Sequence, residues 1–186
     1  MNAKTLLEDA QVLLGNGRFE GALLLVLVAI AGTSKRRSPP PCSDAKAFTD
    51  FLHDEWFAIA PCAGMRAVVD GKEVPMESIL YKVLRCTVLH EGEMPEELVF
   101  KDSQTWFIRR EHGRFILSRN WITGLMRSVV LAKENQSLFK DVASQWKAPW
   151  WPPGSSMTVT NPGTFLLGGG PNMRVARGEK EEAGTS

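Results

Sequence analysis

GALLLVLVAIAG, residues 21–32, is the stretch on which the fold turns. Its apolar run has about a dozen residues, whereas a bilayer span needs roughly 20. It therefore reads as a buried helix and not as a membrane anchor. Extended to the flanking residues, it predicts a helix from about Phe19 to Thr33 that is apolar all round in its middle. Such a helix sits centrally and is covered on several sides.

Upstream, Leu6, Leu7, Ala10, Leu13 and Leu14 recur at spacings of three and four, which predicts a helix over residues 2–14. GNGRFEG, at 15–21, breaks or caps it, because two glycines in three residues favour a turn. Downstream, SKRRSPPPCSD at 34–44 reads as a solvated loop, since three consecutive prolines cannot continue a helix. Ser43 or Asp44 then caps a third helix over 45–60, with Phe48, Phe51, Leu52 and Trp56 as its apolar stripe. Residues 61–71 read as irregular. Pro75 suits the first turn of a fourth helix over 75–90, where its missing N–H is harmless.

Beyond Gly92 the pattern changes. TWFIRREHGRFILS, at 105–118, is two β-prone runs joined by a turn around His112 and Gly113, a hairpin. Ser118 or Asn120 caps a last helix reaching about Trp146, with a break near Asn135. The whole reads as mainly α: a small helical bundle over residues 1–146 with a short β-hairpin insertion near 105–118. Residues 147–186 are a Pro/Gly-rich C-terminal tail, read as largely disordered because periodicity is absent. WKAPWWPPG within it is a candidate partner-docking segment, or one that folds back on its own domain.

Composition narrows the function classes. Apolar content of 44% and charged content of 23% are ordinary globular values, and the formal net charge of +1 supplies no global field for nucleic acid or membrane. Any electropositive footprint must be local. The three cysteines form no CxxC pair and no secretory signal is visible, so free thiols and a cytoplasmic setting are expected. With only three histidines and no second ligand pair, neither a metal nor a cofactor is expected.

The chemistry-bearing stretch is LYKVLRCTVLHEG, residues 80–92. Wound as a helix at about 100° per residue, it separates into two faces. Leu80, Val83, Leu84, Thr87 and Val88 form one, and Lys82, Arg85, Cys86 and His90 share the other with Leu89. An apolar Leu89 amid a polar strip suggests that this face meets a partner. A solvated face carrying an arginine and a histidine by coincidence is the plain alternative. Cys86 and His90 are also one turn apart, the arrangement of a thiol nucleophile and its base, although no orienting Asn or Asp is evident.

Arg85-Cys86-Thr87-Val88-Leu89-His90, together with LLGNGRFEGALLLVLVAIAGTSK at the N-terminus, resembles the HEPN domain, over roughly residues 1–145. That family comprises helical bundles of bacterial toxin, antiviral defence and stress proteins. Its signature is an arginine, a polar residue, variable residues and a histidine; here Cys86 replaces the usual Asn, Asp or His. The resemblance implies metal-independent RNA cleavage at a homodimer interface, with Arg85 and His90 catalytic and Cys86 supporting. It also implies a toxin–antitoxin or defence setting, with an antitoxin or other protein as partner. Imidazole suits the general base and a guanidinium suits the charge on a phosphorane.

RNA is the expected substrate. Lys82 beside the pair, and Arg109, Arg110, Arg114 and Arg119 interleaved with Trp106, Phe107 and Trp121, are candidate substrate-binding residues. A solvated hairpin whose aromatics belong to the core is the plainer account of the second group. His53, beside Asp54, reads as a surface or boundary residue. The alternative function is a non-catalytic module on the same scaffold that binds RNA, a nucleotide or a partner protein, and Cys86 favours it.

Overall fold

The computed structural model describes residues 2–60, 65–69, 72–82, 98–103, 107–111, 114–147, 158–160 and 165–167. Helix α1, Ala3–Gly15, is capped by Asn2, whose Oδ1 accepts the Thr5 N–H at 3.0 Å. One of the amides left over at a helix start is thereby satisfied. At the far end Gly17 adopts φ +71°, and the Arg18 and Gly17 amides donate back to the Leu13 and Leu14 carbonyls. This Schellman turn needs a residue that tolerates left-handed backbone. The expected GNG break is thus a capped reversal that lays the next helix against α1.

That helix, α2, spans Phe19–Arg37. The solvated loop expected from residue 34 does not begin until Ser38. Lys35, Arg36 and Arg37 instead form its last turn, where cations suit the negative end of the helix dipole. Leu23, Val26, Leu27 and Ile30 of α2 are fully buried. Ser43 caps α3, Asp44–Asp54, by accepting the Lys46 N–H. The single helix expected over 45–60 is divided: Glu55 ends α3 and precedes the short α4, Trp56–Ile59. The stripe of Phe48, Phe51, Leu52 and Trp56 is buried, as its spacing requires.

Helix α6, Asn120–Leu131, completes the core with Trp121, Leu125 and Val129. Trp121 meets Trp56 edge-on with ring centroids 6.3 Å apart. Neither Ser118 nor Asn120 caps this helix. Ser118 is buried at the end of a strand, Asn120 is already helical, and Arg119 holds the cap position without a side-chain bond. The break expected near Asn135 is present: after Leu131 the last helix gives way to a 3-10 turn (Lys133–Asn135), α7 (Gln136–Phe139) and α8 (Ala143–Lys147). Asn135 supplies the reason: its Nδ2 donates to the Val129 carbonyl at 2.8 Å, one of the acceptors a helix end leaves over.

Two sheets accompany the bundle. In the first, β1 (Met65–Val69) pairs antiparallel with β2 (Lys72–Pro75) on one side and β7 (Phe165–Leu167) on the other. Part of 61–71, expected to be irregular, is therefore a strand. MRAVV followed by an Asp-Gly dipeptide carries the sequence signal of a hairpin. The second sheet has the order β3-β5-β4-β6. Its β4 (Phe107–Glu111) and β5 (Arg114–Ser118) form the expected hairpin, with Glu111 opposite Arg114. β3 (Leu98–Lys101) runs parallel to β5, and β6 (Thr158–Thr160) parallel to β4. Adjacent strand positions face opposite sides, yet Ile116 and Leu117 are both buried, so β5 is covered on both faces.

Within the tail read above as largely disordered, Lys147 closes α8 and β6 and β7 each join a sheet; the remainder of that segment lies outside the described residues. The architecture is mainly α. No helix among the described residues is long and apolar enough to cross a membrane.

Candidate functional site

The catalytic residues expected from the sequence, Arg85, Cys86 and His90, and Leu89 between them, lie outside the described residues. Their approach is described. Pro75 closes β2 and precedes α5, Met76–Ile79, as its ring allows at a helix start. Met76 and Leu80 are buried, and Tyr81 meets the Phe48 ring at 5.6 Å between centroids. Glu77, in the first turn and itself buried, faces His53 of α3, with Oε1 3.4 Å from Nδ1. A carboxylate in a first helical turn is favoured by the dipole. His53 is otherwise largely solvated, as expected of a boundary residue.

From Leu80 to Lys82 the backbone widens into a π-type turn, a feature found often at functional sites. Lys82 is exposed at its end. Tyr81 thus lies against Phe48 of α3 while the lysine faces water, immediately before residue 83.

Arg109 and Arg110 occupy β4, paired across the hairpin with Ile116 and Phe115. Arg114 is exposed on β5. Arg119 Nη1 lies 2.9 Å from Asp102 Oδ1 in a partly solvated ion pair, worth about 0–1 kcal/mol. The hairpin therefore gathers Arg109, Arg110 and Arg114 on two neighbouring strands, with Arg119 just beyond and already engaged. Lys82 ends the turn that follows α5, whose main neighbours among the described elements are α3, β1 and β2.

A second constellation escaped the sequence reading because it was placed in a loop. The Arg37 guanidinium reaches Glu134 through Nε and Nη2, both at 2.9 Å, Glu55 at 2.5 Å and Asp54 at 3.4 Å. It also lies 4.7 Å above the Phe51 ring. Burial alone would disfavour its charge, but the bonds to Glu134 and Glu55 prevail and hold it protonated more firmly than usual. For Glu134 burial works toward the neutral acid; the Arg37 bond and charge and a backbone N–H outweigh it, leaving its carboxyl below the ordinary range.

Arg36 Nη2 donates to Asn135 Oδ1 at 2.6 Å, and Asn135 Nδ2 also donates to Thr33 Oγ1 at 3.0 Å. Every group in this cluster answers another. It is a clamp joining the end of α2 to the α3–α4 junction and the 133–135 turn, not an open site. Two adjacent arginines ending a helix were its sequence signal.

Elsewhere, Arg127 is buried in α6 and donates from Nε to the Trp146 carbonyl at 2.6 Å, with burial lowering its basicity. A cavity of about 170 Å³ lies between α1 and the last helices, lined by Lys4, Leu7, Glu8, Phe139, Val142 and Trp146. That is small beside the ~300 Å³ and more of usual ligand pockets. No metal-binding cluster is found among the described residues.

The sequence model of the Rv1289 family matches residues 4–149, most of the chain. The chain belongs to the Rv1289 family. The matched span takes in the helical bundle, both hairpins and the whole 80–92 stretch, and ends inside WKAPWWPPG. Neither curated proteins nor solved structures give a match.

Proposed function

We propose that this Rv1289-family chain is a metal-independent endoribonuclease, with Arg85 and His90 as its working pair. The observation that carries the reading is the Arg85-x4-His90 strip, which follows directly on a helix start docked by Met76 and Leu80 with Lys82 in water. In this reading a nucleotide's 2′-OH attacks its own 3′ phosphate while His90 takes the hydroxyl proton. Arg85 holds the charge that builds on the phosphorane, as a planar, permanently charged fork can. The 5′ oxygen leaves and takes a proton from the second protomer's histidine, with the two copies paired about the 80–92 segment. Lys82 and the arginines of the β4–β5 hairpin attract the phosphate backbone. A toxin or antiviral defence role, with a neutralising protein partner, goes with this activity.

The test is incubation of purified protein with mixed RNA in the presence of a chelator, with mapping of the ends. Fragments bearing 2′,3′-cyclic phosphate and 5′ hydroxyl support the reading, and Cys86→Asn should keep or raise the rate. A second reading, a non-catalytic module for RNA, a nucleotide or a protein, is favoured by Cys86, whose thiol makes only weak hydrogen bonds. Retention of labelled RNA without cleavage, weakened by Arg85→Ala, would decide for it.

A further inference from the structure

Helix α2 is apolar nearly all round, yet the described bundle covers only part of it. Leu23, Val26, Leu27 and Ile30 are packed in the core shared with α1, α3 and α6. On the other side Val28 is 39% exposed, Gly32 and Lys35 are exposed and Leu24 is half-buried, while Leu25 and Ala31 on the flanks are half-buried against the core. At about 100° per residue these positions fall within roughly 60° of Val28, a stripe some three turns long. A contiguous apolar stripe at a surface marks a contact.

We propose that this stripe pairs with the same stripe of a second copy, antiparallel, about a two-fold axis through Val28. Laid in that way the sequence complements itself. Val28 meets Val28 and Leu24 falls opposite Gly32, so a large side chain meets a small one on both halves. The surface at Gly32 is open to the extent that an added Cβ would touch only Arg36 Nη1, at 3.8 Å. The ends complement each other in charge, with Glu20 opposite Arg36 and next to Lys35.

Glu20 is exposed and has no ion pair among the described residues. Arg36 bonds Asn135 and Thr33 through Nη2, and a guanidinium has further donors to offer a carboxylate. A parallel pairing would set Glu20 against Glu20 and leucine against leucine. A lipid-facing helix would carry cations along both flanks of the stripe; here they stand at one end, with an anion at the other. The pairing does not rest on the ribonuclease reading, because none of its residues lies in 80–92.

Sedimentation of the full chain at roughly 100 μM, where a small interface is still populated, tests it. Val28→Arg should halve the mass of the wild-type assembly and leave the circular dichroism of the fold unchanged, because the residue is at the surface of the single copy. Under mild oxidation Val28→Cys should cross-link to itself at least about tenfold faster than Phe57→Cys, an exposed control, because pairing raises the local thiol concentration. A monomeric wild type, an unchanged mass for Val28→Arg, or equal cross-linking of the two cysteine variants would overturn the proposal. So would a monomeric wild type that co-sediments with phosphatidylcholine–phosphatidylglycerol vesicles.

Discussion

Gly124 of α6 lies against the carbonyl of Ile59 in α4 so closely that a Cβ at 124 would overlap the oxygen. Ile59 is fully buried, and Trp56 on the same short helix meets Trp121, so neither backbone has space to retreat. Gly124→Ala should therefore lower stability by about 1–3 kcal/mol, the usual cost of overpacking, despite alanine's better helix propensity. Urea unfolding measures it, and an unchanged or raised midpoint would contradict the close crossing.

The Arg37 clamp gives the fold an acid-sensitive element. The folded-state value of Glu134 is lowered, so the stability it contributes is fully present above its unfolded value, about 4.3. It is lost as pH falls through the lower folded value. The Arg37 shift lies at far higher pH and leaves it charged throughout. Thermal unfolding followed from pH 7 downward should show wild type losing stability below about pH 4.3 more steeply than Glu134→Gln. At neutral pH Arg37→Ala should cost roughly 3 kcal/mol, because Glu134 and Glu55 are left without their cation. Arg37→Lys should restore only part, lacking the planar fork.

Asn135 is fully buried and serves three partners: Arg36, Thr33 and the Val129 carbonyl. Asn135→Leu fills similar space but leaves the end of α6 uncapped. A loss of about 1–3 kcal/mol is expected, together with faster amide exchange around residues 129–135. Exchange unchanged in that stretch would show that the side chain is not what ends the helix.

Gly32→Ala separates helix stability from self-association. Its Cβ meets only the far end of Arg36, so alanine should stabilise α2 by up to about 1 kcal/mol. The same methyl narrows the space opposite Leu24 and should weaken the two-fold pairing. A melting temperature that rises while sedimentation mass falls is the expected signature. Mass and melting temperature rising together would speak against the α2 interface.

Much of the bundle was legible because burial imposes its period on the sequence. The α1 leucines, the Phe48-to-Trp56 stripe and the GNG turn all reappear where their spacing placed them. The errors share a cause, which is tertiary partners that local pattern does not reveal. SKRR looked like loop until Glu134 and Asn135, about a hundred residues away, proved to hold it as helix. The break expected near Asn135 is present, by contrast, and that asparagine bonds a backbone carbonyl at the helix end. Met65–Val69 was passed over because its strand neighbours come from distant segments as well as from the adjoining hairpin. For the site, sequence alone supplies Arg85, Cys86 and His90; the structure adds the docked α5, the turn at 80–82 and the exposed Lys82 that lead to them.

The most direct test of the ribonuclease reading compares wild type, His90→Ala and Arg85→Ala on one mixed RNA substrate with chelator present. Wild type should cut. His90→Ala should lose about 10²–10⁴-fold, as for a missing general base, and Arg85→Ala about 10²-fold or more, as for a missing charge stabiliser. Both variants should keep wild-type circular dichroism. A wild type that leaves RNA intact, or an activity that both variants retain, would contradict the claim that these two side chains cleave RNA.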